Sequence, residues 1–147
     1  MKKHVIGRRE KISLPEWDLF MISAKVDTGA YTNAIHCEWM EEKVIDGEEV
    51  LEFKLLSPKH RLFKDTTFRT NRYSLKKVKN SFGGAELRYK ITTKVVMFDE
   101  EFETEFTLSD RSKMRNAILL GRKMLKGRFI VDVDEANLSK KSKASQK

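Results

Sequence analysis

The chain holds one cysteine among its 147 residues. Cys37 cannot form an internal disulfide, which excludes a stapled scaffold and suits a reducing compartment. No apolar run approaches the length that crosses a bilayer, so no membrane partner is expected. Met1-Lys2-Lys3 starts like an export signal, but residues 5–12 are broken by Arg8, Arg9, Glu10 and Lys11 and offer no apolar stretch. A cytoplasmic location is the expectation. The phosphate-binding pattern Gly-x-x-x-x-Gly-Lys-Ser/Thr is missing, so the chain is not expected to use ATP by itself. His-Glu-x-x-His is missing as well. His4, His36 and His60 are scattered, and the neighbours His36 and Cys37 would not both face one metal. These histidines are read as surface or loop residues, with neither metal nor cofactor expected.

What is present is globular: 39% of residues are hydrophobic and 10% aromatic, enough for one domain with a core. The formal charge of +8 suggests nucleic acid until its distribution is considered. Without Lys140, Lys141, Lys143 and Lys147 the balance is 26 basic to 22 acidic residues, or +4. The domain is expected to span residues 1–138, with 139–147 a solvated, disordered basic tail. Acidic residues spread through the strands argue against a specific nucleic-acid face.

The dominant periodicity is two residues, as half-buried strands require. Leu51, Phe53 and Leu55 alternate with Glu52 and Lys54 after an Asp46-Gly47 turn. Leu87, Tyr89, Ile91, Thr93 and Val95 form a second series, and Phe102, Thr104, Phe106 and Leu108 a third, joined by a hairpin at Asp99-Glu100-Glu101. Short helical pieces are expected near Cys37–Glu42 and over Gly121–Lys126, with a turn at Ser109–Arg115. No internal repeat is present. The pattern predicts an all-β, closed barrel with one or two short helices.

Within it, Ala24-Lys25-Val26 runs straight into Asp27-Thr28-Gly29-Ala30. A chance Asp-Thr-Gly occurs in roughly a few per cent of chains of this length, so its context decides. A carboxylate at the end of a rigid strand, followed by a small hydroxyl residue and a glycine, can sit on the floor of a cleft with other backbone close by. Asp27 is therefore the candidate catalytic residue.

That stretch, together with Leu119-Leu120-Gly121-Arg122 before a short helix and the strand from Arg128 to Val133, resembles the retropepsin-like aspartic proteases. A closer resemblance is to a bacterial and archaeal family historically labelled ATP-dependent zinc proteases. The match extends through Ile6-Gly7-Arg8-Arg9-Glu10, Leu14-Pro15, Val78-Lys79-Asn80-Ser81 with Glu86 and Arg88, and Asp110-Arg111. The resemblance implies a retropepsin-like barrel and peptidase chemistry. Such chemistry needs two adjacent carboxylates, one ionised and one protonated. With one Asp-Thr-Gly per chain, the second would come from another copy, hence a symmetric homodimer whose Asp27 residues meet on the axis. Thr28 would reach the partner's backbone, Gly29 would permit close approach, and Gly121 and Arg122 would brace the loop.

An extended peptide-like substrate would lie over Ala30 and under a flap, for which Asn80-Ser81-Phe82-Gly83-Gly84 is the candidate. Where viral proteases follow Asp-Thr-Gly-Ala with an aspartate, this chain has Tyr31. The resemblance also suggests ATP-grasp amino-acid ligases as functional neighbours. A non-catalytic peptide-binding or regulatory module on the same fold is the alternative.

Overall fold

The computed structural model describes residues 3–79 and 82–139. Its strands are β1 (His4–Ile6), β2 (Arg9–Leu14), β3 (Leu19–Val26), β4 (Asn33–Ile45), β5 (Glu48–Leu55), β6 (Phe68–Thr70), β7 (Tyr73–Lys79), β8 (Ala85–Met97), β9 (Glu100–Ser109), β10 (Ile118–Leu120) and β11 (Phe129–Val131). One helix, α1 (Arg122–Leu125), and a 3₁₀ turn at Pro15–Trp17 complete the described elements.

Strand β10 closes the barrel. It runs parallel to β3 on one side and antiparallel to β4 on the other, so that β10-β3-β2-β8-β9-β4 form a ring. Closure removes free sheet edges, and it works because the inward residues are apolar at every second position. Ile12, Ile22, Ala24, Ile35, Ile91, Val95, Phe106, Ile118 and Leu120 are all buried in one core. Strands β5 and β6 extend the sheet and shelter an aromatic cluster in which Trp17 meets Phe53 edge-on at 5.1 Å and Phe68 at 5.6 Å.

The alternation in β8 buries Ile91, Thr93, Val95 and Met97, whereas Leu87 is exposed and Tyr89 half-buried. The start of β8 pairs with β7 in a hairpin that leaves the ring, where no opposite face is available to cover those residues. Two hairpins turn on paired positive φ angles, matching the right-handed strand twist. Asp46 and Gly47 join β4 to β5. Phe98 and Asp99 join β8 to β9, one position earlier than expected, with Glu100 and Glu101 already in the strand. Phe98 tolerates its left-handed backbone because its ring stacks on His4 at 5.6 Å and packs against Phe129.

The helix expected near Cys37–Glu42 is a stretch of β4. Its Glu, Met and Lys content favours helix locally, but residues 33–36 pair with β9 and the stretch from Cys37 onward pairs with β5. Tertiary pairing overrides weak propensity. An irregularity between Cys37 and Trp39 is filled by the Cys37 thiol, which donates to the Trp39 carbonyl at 3.0 Å. His36 also departs from the expected surface or loop position, being buried within β4.

The first and last strands meet. β1 and β11 pair in parallel, after which Asp132 N–H donates to Ile6 O, Arg8 N–H to Glu135 O and Asn137 N–H to Arg9 O. A Cβ on Gly7 would lie 2.3 Å from the Glu135 carbonyl, so only glycine allows this crossing. Beneath it the fully buried Glu10 carboxylate accepts from Gly7 N–H, Leu138 N–H, Ser139 N–H and the Ser139 hydroxyl. Ser139 is thus buried and bonded, while residues 140–147 of the expected tail lie outside the described residues.

Candidate active site around Asp27

Strand β3 ends at Val26 and delivers Asp27 to the mouth of the barrel. Its register is set by β10, with Leu119 opposite Lys25 and Leu120 opposite Val26. The Asp27 N–H continues this pairing by donating to Leu120 O at 2.9 Å. The chain then turns sharply, since Asp27 Oδ1 accepts the Gly29 N–H at 2.9 Å and Asp27 O accepts the Ala30 N–H. Asp27 and Ala30 are half-buried, while Thr28 and Gly29 are exposed. A Cβ at Gly29 would sit 3.1 Å from Asp27 Oδ1 and crowd the carboxylate. The outcome is a carboxylate with one oxygen fixed by backbone, at the base of an exposed loop.

The loop is held from below. Arg122 and Lys123 open α1, and their N–H groups donate to Ala30 O and Tyr31 O, both at 2.9 Å. The Arg122 guanidinium donates to Thr28 O at 2.8 Å and lies 5.8 Å from the centre of the Tyr31 ring. Tyr31, where the viral enzymes carry an aspartate, therefore meets the arginine with an aromatic face. Gly121 must be glycine on packing grounds, because a Cβ would come within 2.7 Å of the Tyr31 and Thr32 carbonyls. Its N–H donates to Asn33 Oδ1 at 2.8 Å, and Asn33 Nδ2 donates to Thr104 Oγ1 and Glu105 O.

Arg111 is a further contributor that sequence reasoning left without a role. Its N–H donates to His36 Nδ1 at 2.7 Å and its Nε–H to Asn116 O at 3.1 Å. With Nδ1 accepting, the neutral His36 ring carries its proton on Nε2 and donates to Glu38 at 2.9 Å. Burial lowers the pKa of the Arg111 guanidinium, and the negative charge of Asp27 acts in the opposite direction. A positive charge is therefore anchored within electrostatic reach of the candidate catalytic carboxylate.

The residues expected to form a flap fall at the connection of the β7–β8 hairpin. Its last pair is Lys79 with Ala85, and the connection holds Phe82, Gly83 and Gly84. Phe82 is 95% exposed, and Gly83 has the positive φ of 82° that a tight tip requires. Asn80 and Ser81 lie outside the described residues. On the Thr28 side a cavity of about 440 Å³ is walled by Tyr31, Arg122, Lys123, Leu125 and Phe129. Among the described residues no three His, Cys, Asp or Glu side chains come together as a metal-binding group.

Asp27, Thr28, Gly29 and Ala30 thus share one loop with Gly121 and Arg122 beneath it, whereas Phe82, Gly83 and Gly84 stand apart on the hairpin tip. Asn33, Arg111 and Glu10 were not singled out from sequence as site or support residues. Most of their partners lie far along the chain, up to 129 residues away for Glu10 and Ser139.

The fold resembles that of a crystallised protein of unknown function from Legionella pneumophila, with a TM-score of 0.75, 23% identity, and coverage of 94% of this chain and 99% of that one. Among curated sequences, the chain is 36% identical over 132 residues to a protein of Desulfotalea psychrophila named "Probable alpha-L-glutamate ligase". It is 33% identical over 135 residues to a protein of the same name from Parasynechococcus marenigrum. Those alignments cover 88% and 89% of this chain but only 28% of each relative, so the chain spans under a third of their length. A family model for RimB-like proteins, described as the retropepsin-like aspartic endopeptidase RimB, matches residues 5–142. The chain belongs to this RimB-like family of retropepsin-like aspartic endopeptidases.

Proposed function

We propose that the chain acts as a homodimeric aspartic peptidase on an extended peptide or peptide-like amide. The observation that carries this reading is the Asp27 carboxylate, held by the Gly29 N–H at 2.9 Å in an exposed loop braced by Arg122. Among the described residues no second carboxylate is hydrogen-bonded to it, so a dyad calls for the Asp27 of another copy.

In the dimer, the ionised member takes a proton from water as its oxygen attacks the amide carbon. The protonated member donates to the carbonyl oxygen. Collapse of the tetrahedral adduct breaks the carbon–nitrogen bond, and the amine leaves with a proton returned by the dyad. Thr28 holds the two loops together, and the hairpin tip with Phe82, Gly83 and Gly84 closes over the substrate. The site works in the cytoplasm.

A specific observation also favours a second reading. The matched region makes up 28% of relatives named for ligation of glutamate. This supports a functional link with an ATP-grasp amino-acid ligase, in which the present fold trims or senses the amide that such an enzyme makes.

A mixed peptide library incubated with purified chain and with Asp27→Asn separates the two readings. The peptidase reading expects products from the wild type only, with a rate that falls on both sides of a pH optimum. Binding without cleavage in both proteins would favour the sensing module.

A further inference from the structure

We propose that Glu42 is a positioning residue: its carboxylate clasps the root of the β7–β8 hairpin and sets how that hairpin stands over a bound substrate. This rests on the reading of the hairpin as the element that closes over the Asp27 site.

The hairpin needs an anchor outside itself. Its ladder runs from Tyr73 opposite Ile91 to Lys79 opposite Ala85, and residues 85–89 of β8 pair with β7 alone. A two-stranded hairpin is marginally stable by itself in water. Leu75 and Leu87 are 49% and 63% exposed, so packing holds its outer part weakly.

The anchor is a single carboxylate. Residues directly opposite one another share a face, so Tyr73 on β7 projects on the same side as Tyr89, which lies opposite Leu75. Their ring centres are 6.1 Å apart. The Tyr73 hydroxyl donates to Glu42 Oε1 at 2.7 Å and the Tyr89 hydroxyl to Glu42 Oε2 at 3.1 Å, one phenol from each strand. Glu42 stands on firm ground, opposite Leu51 of β5, which in turn lies opposite Thr70 of β6. Lys43 engages the nearby Glu41 and Glu52, whereas Glu42 forms no ion pair among the described residues. The bond to Glu42 pushes the Tyr73 phenol up to about 12, and burial followed by Glu42 raises Tyr89. Both hydroxyls therefore remain donors at neutral pH.

The opposite face of the root is tied elsewhere. Lys90 meets Glu105 Oε2 at 3.1 Å, and Glu105 Oε1 accepts from Lys123, whose backbone N–H donates to Tyr31 O beside the Asp27 loop. The hairpin thus leaves the barrel between two carboxylates. Glu42 is the weaker hold, because it bonds uncharged hydroxyls at an exposed position. Such a clasp fixes a resting position and still yields when a substrate enters.

Hydrogen exchange in the full chain reads the clasp through the amides of residues 74–79 and 85–90. Glu42→Leu should speed their exchange about tenfold and leave β2, β3 and β10 unchanged. Tyr73→Phe combined with Tyr89→Phe should do the same, and adding Glu42→Leu to that pair should add nothing. Glu41→Gln, which removes a neighbouring charge, should have no effect. With a peptide that the wild type cleaves, Glu42→Leu should raise KM several-fold and change kcat by less than about twofold, since the substrate must then order the hairpin itself. Glu42→Gln keeps one acceptor and can donate to the second phenol, so it should recover most of the loss. Unchanged hairpin exchange, additive effects of the variants, or acceleration across the whole barrel would overturn the clasp. Faster hairpin exchange with an unchanged KM would overturn the positioning role. If the wild type cleaves no peptide, the peptidase reading fails; non-additive acceleration confined to the hairpin then keeps the clasp, and its absence overturns it.

Discussion

Asn33 Oδ1 accepts the backbone N–H of Gly121 at 2.8 Å, joining the residue that follows β10 to the first residue of β4. The same amide donates to Thr104 Oγ1 and Glu105 O, so one side chain ties three segments beneath the Asp27 loop. At 2% exposure Asn33 has no water to replace these bonds.

Replacing it with alanine leaves the Gly121 N–H and the Glu105 carbonyl unsatisfied in a dry site. Asn33→Ala should therefore destabilise the fold by about 2–4 kcal/mol. Urea unfolding followed by tryptophan fluorescence measures this, and a loss below about 0.5 kcal/mol would mean that the site relaxes to admit water.

Glu10 performs the matching role at the opposite end of the chain. In Glu10→Gln one carboxylate oxygen becomes an amide that faces N–H donors, so at least one of the four bonds turns repulsive. Hydrogen exchange should speed up over residues 132–139 before the barrel strands respond, because that segment crosses the N-terminal strands through Glu10. Uniform acceleration across the barrel would instead make Glu10 part of the global core.

Cys37 is buried, and burial pushes its thiol up to about 11. A thiol with so little thiolate reacts slowly. Iodoacetamide at pH 8 should leave the folded protein unmodified and label it fully in denaturant, as mass spectrometry can count. Rapid labelling of the native state would show that the β4 irregularity opens.

Acid should weaken the fold in a defined window. The Glu105 carboxyl is held below its ordinary value of 4.5, chiefly by its bond to Lys123, with Lys90 adding to the effect. Glu52 is likewise lowered by Lys43 and then Arg69. A carboxyl with a depressed folded pKa adds stability that is complete above its unfolded value, and that is lost as pH falls through the folded one. Urea midpoints should thus be flat from pH 7 to 5 and decline below about 4.5. Glu105→Gln should flatten part of the decline; an unchanged slope would exclude Glu105 as a contributor.

Much of the fold was legible from sequence because its signals are local. The alternation in β8 and β9 and the Asp46-Gly47 turn depend on neighbouring residues, as does the step from an apolar strand into Asp27-Thr28-Gly29. The segment Cys37–Glu42 was misread because its helix-favouring residues become a strand only through pairing with β5. Arg111 stands in the matched Asp110-Arg111 pair, but nothing in its local sequence marks its role. Its setting is created by His36, 75 residues earlier, and by a loop whose path no periodicity reveals.

Two copies of Asp27 are proposed to make one site, and a mixing experiment measures whether they do. Wild-type and Asp27→Asn chains are combined at varied ratios, allowed to exchange subunits, and assayed against a peptide that the wild type cleaves. If both carboxylates are required, activity follows the square of the wild-type fraction, so an equal mixture retains a quarter of the rate. A rate linear in the wild-type fraction would contradict the account, because each chain would then be acting through its own Asp27 alone.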